Sequence, residues 1–374
     1  MPVPTINYLT GVHFGVGSCG LLPEVLNDLG VNRPLMVTDR GLLDLGFVER
    51  PGVEPAAIFS DVQTNPDEES ALAGVHLYRE HDCDGVVALG GGSPIDCAKC
   101  IALLVTHPEP LEQYAMIRGG VGRITPDKPP VVAIPTTAGT GSEVGRAALM
   151  TMRSGAKLAV IGAQMIPDVA ICDPSLTSDL PPLLTAATGV DAISHCVETY
   201  CSPKFNPVAD AIALDGLQRA WRNLPTAVQR GSDIAARGEM MMAALQGGLT
   251  FQKGLGLIHS LSHPLGALKH LRLHHGMLNA VFLPHVLRFN TDTCPDKVRR
   301  MAEVIGVGAD VDSLIRACNE LIQAIGLPTR LRDMGVQPED FEGIPAAAVA
   351  DHSTPTNPCK VTAGDCLMLL EAAF

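Results

Sequence analysis

The chain has 374 residues, which is more than one hydrophobic core usually serves, so two domains are expected. Its content of 46% hydrophobic and 18% charged residues excludes a disordered chain. A formal net charge of -13 argues against binding to nucleic acid or to a membrane surface, and it favours a small-molecule ligand. The eleven cysteines follow no disulfide framework and no signal-peptide pattern is present, so we expect a cytoplasmic protein with reduced thiols.

The first half of the sequence alternates short apolar runs with helical patterns. The runs PLMVTD, GVVALG, PPVVAIPTT and KLAVIG are each bounded by glycine, proline or aspartate. This alternation is typical of a parallel β-sheet covered by helices. We therefore predict a Rossmann-like α/β dinucleotide-binding domain over residues 1–180.

Two glycine-rich loops follow successive apolar runs. In VVALGGGSPIDCAK, three glycines precede Ser93 and Pro94 at the start of a helix, where free N–H groups favour a pyrophosphate. In VVAIPTTAGTGSE, Thr136 and Thr137 stand at the corresponding position after the next strand. Both loops are expected at the carboxyl edge of the sheet, where α/β proteins bind nucleotides.

Asp39 ends an earlier predicted strand, PLMVTD. A carboxylate at that position accepts hydrogen bonds from ribose hydroxyls and repels a 2′-phosphate, so NAD is favoured over NADP. The plain alternative is a helix N-cap. The stretch GVGSCG at residues 15–20 matches G-x-G-x-x-G, but the segment before it makes a poor buried strand, so we interpret it as a turn into the first helix.

From about residue 181 onward, long helical patterns replace the apolar runs, and we predict an all-helical metal- and substrate-binding domain over residues 181–374. The stretch TGVDAISHCVETY places Asp191 and His195 on one helix face, where a simple hydrogen-bonded pair is the alternative to a metal site. The stretch GLGLIHSLSHPLGA repeats the spacing with His259 and His263. Buried imidazoles need partners, and three nitrogens with one carboxylate oxygen suit Fe²⁺ or Zn²⁺ with a position open for substrate.

At this point the sequence resembles the iron-containing (group III) alcohol dehydrogenases over nearly its whole length. The resemblance rests on GGGSPIDCAK, PTTAGTGSEV, ATGVDAISHCVE, GLGLIHSLSHPLGA, HHGMLNAVFLPHVLRFN and NPCK, which occur in the family's order. It implies a dehydroquinate synthase-like fold, with an α/β nucleotide-binding domain followed by an all-α metal-binding domain.

The same resemblance implies the site residues. The implied metal ligands are Asp191, His195, His259 and His275. The choice of His275 over His274 rests on the adjacent Gly276, and His263 is the implied catalytic residue, near the reacting oxygen without ligating the metal. The implied cofactor contacts are Asp39, Asn65, Gly91, Gly92, Ser93, Asp96, Thr136, Thr137 and Lys157.

The activity implied is NAD(H)-dependent interconversion of a primary alcohol and its aldehyde, by a homodimer or larger homo-oligomer. A divalent cation makes a bound alcohol more acidic and so favours hydride transfer to the nicotinamide. One alternative is a hydroxyacid-oxoacid transhydrogenase, in which bound NAD carries hydride between two substrates. Another is a lyase similar to dehydroquinate synthase, whose Glu and two His ligands differ from the D-x-x-x-H pattern. A nucleotide-binding regulatory protein is a third, but it leaves the buried metal set without a purpose.

A basic run, KHLRLHH at residues 269–275, adjoins the implied ligand His275, and Lys253 shortly precedes His259. We hypothesise that Lys253 or Arg272 holds a substrate carboxylate, which would make the substrate a hydroxy acid with its semialdehyde. The alternative is that these cations are solvated. Metal, nicotinamide and substrate are expected together in a cleft between the two halves.

Overall fold

The computed structural model describes residues 10–268 and 270–374, so Lys269 of the basic run lies outside the described residues. The described chain divides into two compact units. The first, which we call the α/β unit, comprises residues 10–137 and 141–177. The second, the helical unit, comprises residues 138–140 and 178–374.

Eight strands lie in the described part of the α/β unit. In chain order they are β1 (Gly11–Phe14), β2 (Pro34–Val37), β3 (Ala57–Phe59), β4 (Gly85–Gly90), β5 (Val131–Pro135), β6 (Ala147–Thr151), β7 (Lys157–Ile161) and β8 (Val169–Cys172). Six of them form a parallel sheet in the order β1-β8-β5-β4-β2-β3. This sheet confirms the predicted fold class.

The sheet is buried on both faces because its central strands are apolar throughout. In β4, Val86 and Ala88 pack into one hydrophobic cluster, while Val87 and Leu89 pack into another on the opposite face. The sequences of such strands are continuous apolar runs. For this reason β2, β4 and β5 could be predicted from the sequence. Edge strand β1 is exposed along its whole length, in agreement with the poor strand pattern before GVGSCG.

One strand prediction is wrong in its pairing. The run KLAVIG forms β7, but β7 pairs with β6 as an antiparallel two-stranded sheet and does not join the parallel one. The two strands are connected by residues 152–156 alone. A connection this short reverses the chain, whereas a parallel neighbour needs a crossover of a dozen residues or more.

Helices α1 to α4 accompany the sheet. They are α1 (Leu22–Asp28), α2 (Arg40–Asp44), α3 (Glu68–Glu80) and α4 (Gly92–Thr106). Two begin at an aspartate N-cap: the carboxylate of Asp39 accepts the N–H of Leu42, and that of Asp67 accepts the N–H of Ser70. Only Gly91 separates β4 from α4, so the run of three glycines at residues 90–92 lies at the carboxyl edge of the sheet.

The helical unit contains α5 (Pro182–Cys201), α6 (Pro207–Gln229), α7 (Ile234–Leu249), α8 (Leu257–Gly266), α9 (His275–Asn290), α10 (Pro295–Ile305), α11 (Val311–Ala324), α12 (Ile344–Ala350) and α13 (Ala363–Ala373). Helix α5 is buried on nearly all sides and packs against α6, α7 and α9. A helix with this pattern lies inside a domain. Within the described residues, none of the helices is both long and apolar enough to cross a membrane.

Candidate functional site

Three helices of the helical unit bring the four implied metal ligands together. Helix α5 carries Asp191 and His195 one turn apart, α8 carries His259, and α9 begins with His275. The Nε2 atoms of His195, His259 and His275 lie 3.4, 3.5 and 3.6 Å from Oδ1 of Asp191. The four side chains therefore converge on one point.

These separations fit a bound transition-metal ion. They exceed the 2.7–3.2 Å of a normal N–H···O hydrogen bond. A four-coordinate ion with bonds of about 2.1 Å holds its donor atoms roughly 3.4 Å apart. The donor set of three imidazole nitrogens and one carboxylate oxygen suits Fe²⁺ or Zn²⁺, so the residues present fit the metal that the resemblance implies.

Burial and the neighbouring ionisable groups favour binding of a cation at this site. Burial lowers the pKa of His195 to about 4, so this imidazole is neutral and able to ligate. Burial opposes ionisation of Asp191, but the neighbouring imidazoles, His195 first among them, lower the pKa of its carboxyl. Burial likewise opposes charge on His259, yet Glu198 and Asp191 raise the pKa of His259 to about 10. A metal ion that binds His259 therefore displaces a proton.

Hydrogen bonds from outside the ligand set fix the imidazoles. The carbonyl oxygen of Gly139 lies 3.2 Å from Nδ1 of His195 and accepts its proton, which leaves Nε2 facing Asp191. The Glu198 carboxylate contacts Nδ1 of His259 and also accepts the N–H of Ile258. Partners of this kind orient histidine ligands and select their tautomer.

Sequence reasoning missed Glu198 and Asn279. The Asn279 side chain is fully buried, and its Nδ2 lies 2.8 Å from Oδ1 of Asp191. Its Oδ1 has no hydrogen-bond partner among the described residues, as expected for a polar group beside a site built for an ion. Helical spacing could have identified both residues, because side chains three or four residues apart share a helix face. Asn279 is four residues after His275, and Glu198 is three residues after His195.

His263 lies beside the four ligands. Its ring centroid is 5.7 Å from that of His259 and 5.4 Å from that of His275. Its Nδ1 lies 2.9 Å from Oδ2 of Asp351, a second carboxylate that sequence reasoning missed. Burial lowers the pKa of His263 to about 4, so the ring is neutral, donates Nδ1–H to Asp351 and keeps Nε2 free as an acceptor.

His274 and the predicted substrate cations have other surroundings. His274 is the N-cap of α9, and its buried Nδ1 has no hydrogen-bond partner among the described residues. The hypothesis that Lys253 holds a substrate carboxylate is wrong, because Lys253 is fully buried and its ammonium group pairs with Asp210 and the carbonyl of Tyr200. Arg272 is exposed, as in the solvated alternative.

The predicted cofactor residues of the α/β unit cluster at one sheet edge. Strands β2, β4 and β5 are neighbours, and Asp39, Gly91 and Thr136 follow their respective carboxyl ends. The N–H of Thr136 donates to Gly90, and a Cβ placed on Gly91 would lie 3.3 Å from the Thr137 side chain. Gly91 is the N-cap of α4, so Gly92 and Ser93 form its first turn, whose N–H groups suit a phosphate.

The other residues predicted to contact the cofactor form hydrogen bonds within the α/β unit. Lys157 donates to Asn65 over 2.8 Å. The Ser93 hydroxyl donates to the carbonyl of Thr64. The Asp96 carboxylate accepts the hydroxyl of Ser142 and the N–H of Leu149, which ties α4 to β6.

Comparison with family models matches both units. Residues 10–174 match the model described as iron-containing alcohol dehydrogenase, and residues 185–374 match the model of the C-terminal part of the same family. A 4-hydroxybutyrate dehydrogenase from Cupriavidus necator is 46% identical over 384 residues, which cover 99% of both chains. A 1,3-propanediol dehydrogenase from Klebsiella pneumoniae is 37% identical and covers 100% of this chain and 98% of its own.

Solved structures give the same result. A 1,3-propanediol oxidoreductase superposes with a TM-score of 0.92 at 37% identity, covering 99% of this chain and 100% of its own. A sulfoacetaldehyde reductase from Bifidobacterium kashiwanohense, in complex with NAD⁺, superposes with a TM-score of 0.90 at 28% identity, covering 100% of this chain and 99% of its own.

A parallel sheet with glycine-rich loops at its carboxyl edge, and a set of three histidines and one carboxylate of which all but the partly exposed His275 are buried, define a nucleotide-binding metalloenzyme. The chain belongs to the iron-containing alcohol dehydrogenase family. It is an NAD-dependent oxidoreductase that acts on small alcohols and aldehydes and uses a metal. The predicted family, fold and reaction class are therefore confirmed.

Proposed function

We propose that this chain interconverts a short ω-hydroxy acid and its semialdehyde, with 4-hydroxybutyrate as the representative substrate. The observation that carries the proposal is the 46% identity to a 4-hydroxybutyrate dehydrogenase, which extends over 99% of both chains. The 1,3-propanediol dehydrogenase similarity supports the same chemistry, oxidation of a primary alcohol with a polar group at the far end.

In this proposal Asp191, His195, His259 and His275 hold Fe²⁺, as the family description suggests. When bound, the metal ion lowers the pKa of the substrate hydroxyl and NAD⁺ accepts the hydride. Glu198 and Gly139 keep the imidazole nitrogens turned toward the ion. Asp351 holds Nδ1–H of His263, so that its Nε2 is available to the proton of the substrate hydroxyl.

The substrate experiment compares kcat/KM for 4-hydroxybutyrate, 1-butanol and 1,3-propanediol with NAD⁺. Because the chain is 46% identical to a 4-hydroxybutyrate dehydrogenase, kcat/KM for 4-hydroxybutyrate is expected to exceed that for 1-butanol by roughly 10- to 100-fold, the effect of a difference of about 1.5–3 kcal/mol. Arg272→Ala should leave this ratio unchanged, because Arg272 is exposed. A preference for 1-butanol would show that the substrate is a plain alcohol.

Cofactor choice provides a second experiment. In the proposal, Asp39 accepts hydrogen bonds from the ribose and repels the 2′-phosphate of NADP⁺. Asp39→Gly is therefore expected to raise kcat/KM with NADP⁺ by about 10-fold or more while metal content stays constant. Asp67→Gly is the matched control, because Asp67 caps α3 as Asp39 caps α2, and it should leave the preference for NAD⁺ unchanged.

We also propose that the protein acts in the cytoplasm as a homodimer or larger homo-oligomer. The location is supported by its thiols, since all eleven cysteines are free. The oligomer is supported only by resemblance to the family, and light scattering of the purified protein measures it directly.

A further inference from the structure

A second group of side chains with potential metal-ligating atoms lies beside the first one in the helical unit. His263, Asp351 and His352 each offer one donor atom, and the three atoms lie within 4.8 Å of one another. The proposed function uses only His263 and Asp351 of this group, which leaves His352 without a role.

The Asp351 carboxylate bridges the two imidazoles. Its Oδ2 lies 2.9 Å from Nδ1 of His263, and its Oδ1 lies 3.5 Å from Nδ1 of His352. The first separation is that of a hydrogen bond, whereas the second is too long for a good one. It is about the separation of two donor atoms on a four-coordinate ion, roughly 3.4 Å.

The ring arrangement repeats that of the first centre. The rings of His263 and His352 are nearly parallel, 13° apart, with centroids separated by 5.4 Å. The rings of the ligands His195 and His259 are 19° apart, with centroids separated by 4.7 Å. Near-parallel imidazoles joined by one carboxylate therefore occur twice in this unit.

Exposure and charge also favour a cation. The side chains of His263, Asp351 and His352 are 5%, 10% and 15% exposed, so the group is shielded but His352 is reachable from solvent. The Asp351 carboxylate contributes a negative charge, which attracts a cation. Two histidines and one carboxylate form a common ligand set for Zn²⁺ and Fe²⁺, with further positions left for water.

We propose that His263, Asp351 and His352 form a second site for a divalent transition-metal ion such as Zn²⁺, separate from the centre at Asp191. This site is weaker than the first because it has three protein ligands in place of four. An ion bound to Nδ1 of His263 displaces the proton that this nitrogen donates to Asp351, and the proton moves to Nε2 of the same ring. With Nε2 protonated, the ring no longer accepts the substrate proton, so excess Zn²⁺ inhibits the enzyme. The inhibition rests on the proposed role of His263, whereas the site itself does not.

The test is the number of Zn²⁺ ions bound per chain. Metal-stripped full-length protein is dialysed against increasing free Zn²⁺, and bound metal is measured by elemental analysis. Wild type is expected to bind two ions in separate steps, and His352→Ala only the tighter one. His270→Ala is the matched control, because His270 forms an exposed pair with Asp340 over 2.9 Å, and it should keep both ions.

His352→Gln, which keeps the side-chain volume closer to that of histidine, is expected to weaken the second step by at least about 10-fold and provides the same readout if the alanine variant unfolds. One ion bound to wild type would overturn the proposal. So would two ions bound to both His352 variants, because the second ion would then lie elsewhere. Neither result depends on substrate turnover, so failure of this proposal is distinguishable from failure of the proposed function.

Discussion

His259→Ala is expected to lose bound metal and to lower kcat/KM by more than about 1000-fold. His259 is almost completely buried, and its Nε2 lies 3.5 Å from the Asp191 carboxylate, within the proposed ligand set. Loss of a metal that stabilises transition-state charge costs several kcal/mol, which corresponds to three or more decades in rate. Metal content and NAD⁺ reduction are measured on the same preparation.

His263→Ala is the matched comparison because it removes an equally buried imidazole from the same helix, one turn further on. It is expected to keep the metal at the Asp191 centre while kcat falls by about 100- to 10,000-fold, as when a group that handles the substrate proton is lost. Equal metal content in the two variants would contradict the roles assigned on α8.

Gly276→Ala is expected to weaken metal binding although it replaces none of the proposed ligands. A Cβ at residue 276 would lie 2.1 Å from the main-chain oxygen of Ala187, so α9 and α5 have to separate. The neighbouring His275 moves with α9, and a displacement of about 1 Å costs on the order of 100-fold in rate. Metal affinity and thermal unfolding are the measurements, and overpacking should also destabilise the fold by about 1–3 kcal/mol.

Gly266→Ala is the control for this substitution. Gly266 is also helical, but a Cβ there meets only the Leu278 side chain at an ordinary 3.8 Å. This variant should bind metal like wild type. If Gly276→Ala were equally tolerated, the close contact of α9 with α5 would not be what positions His275.

Much of the candidate metal site was predictable because helices impose a short, fixed spacing. Asp191 and His195, four residues apart, had to share a helix face, and His259 and His275 followed from resemblance to the family. Glu198 and Asn279 obey the same spacing but belong to residue types that often lie on helix surfaces without function. Asp351 contacts His263 across 88 residues, a tertiary contact that no local pattern encodes.

The errors have physical causes as well. From the sequence, Lys253 was interpreted as a free cation, because its partner Asp210 is 43 residues away. A lysine is buried only where such a partner exists. The apolar run of β7 had the composition of a parallel strand, but its pairing was decided by the short connection to β6. In the α/β unit, by contrast, strand ends alone predicted which loops share a sheet edge.

We propose that Asp191 and the three histidines around it hold a metal that NAD-dependent alcohol oxidation requires. The most direct test of this proposal is NAD⁺ reduction with 4-hydroxybutyrate by protein stripped with a chelator and then titrated anaerobically with Fe²⁺, beside Asp191→Ala treated identically. We expect wild-type activity to be lost on stripping and to rise until one Fe²⁺ is bound per chain, while Asp191→Ala gains none. Full activity in the stripped protein, or equal recovery in Asp191→Ala, would contradict the proposal.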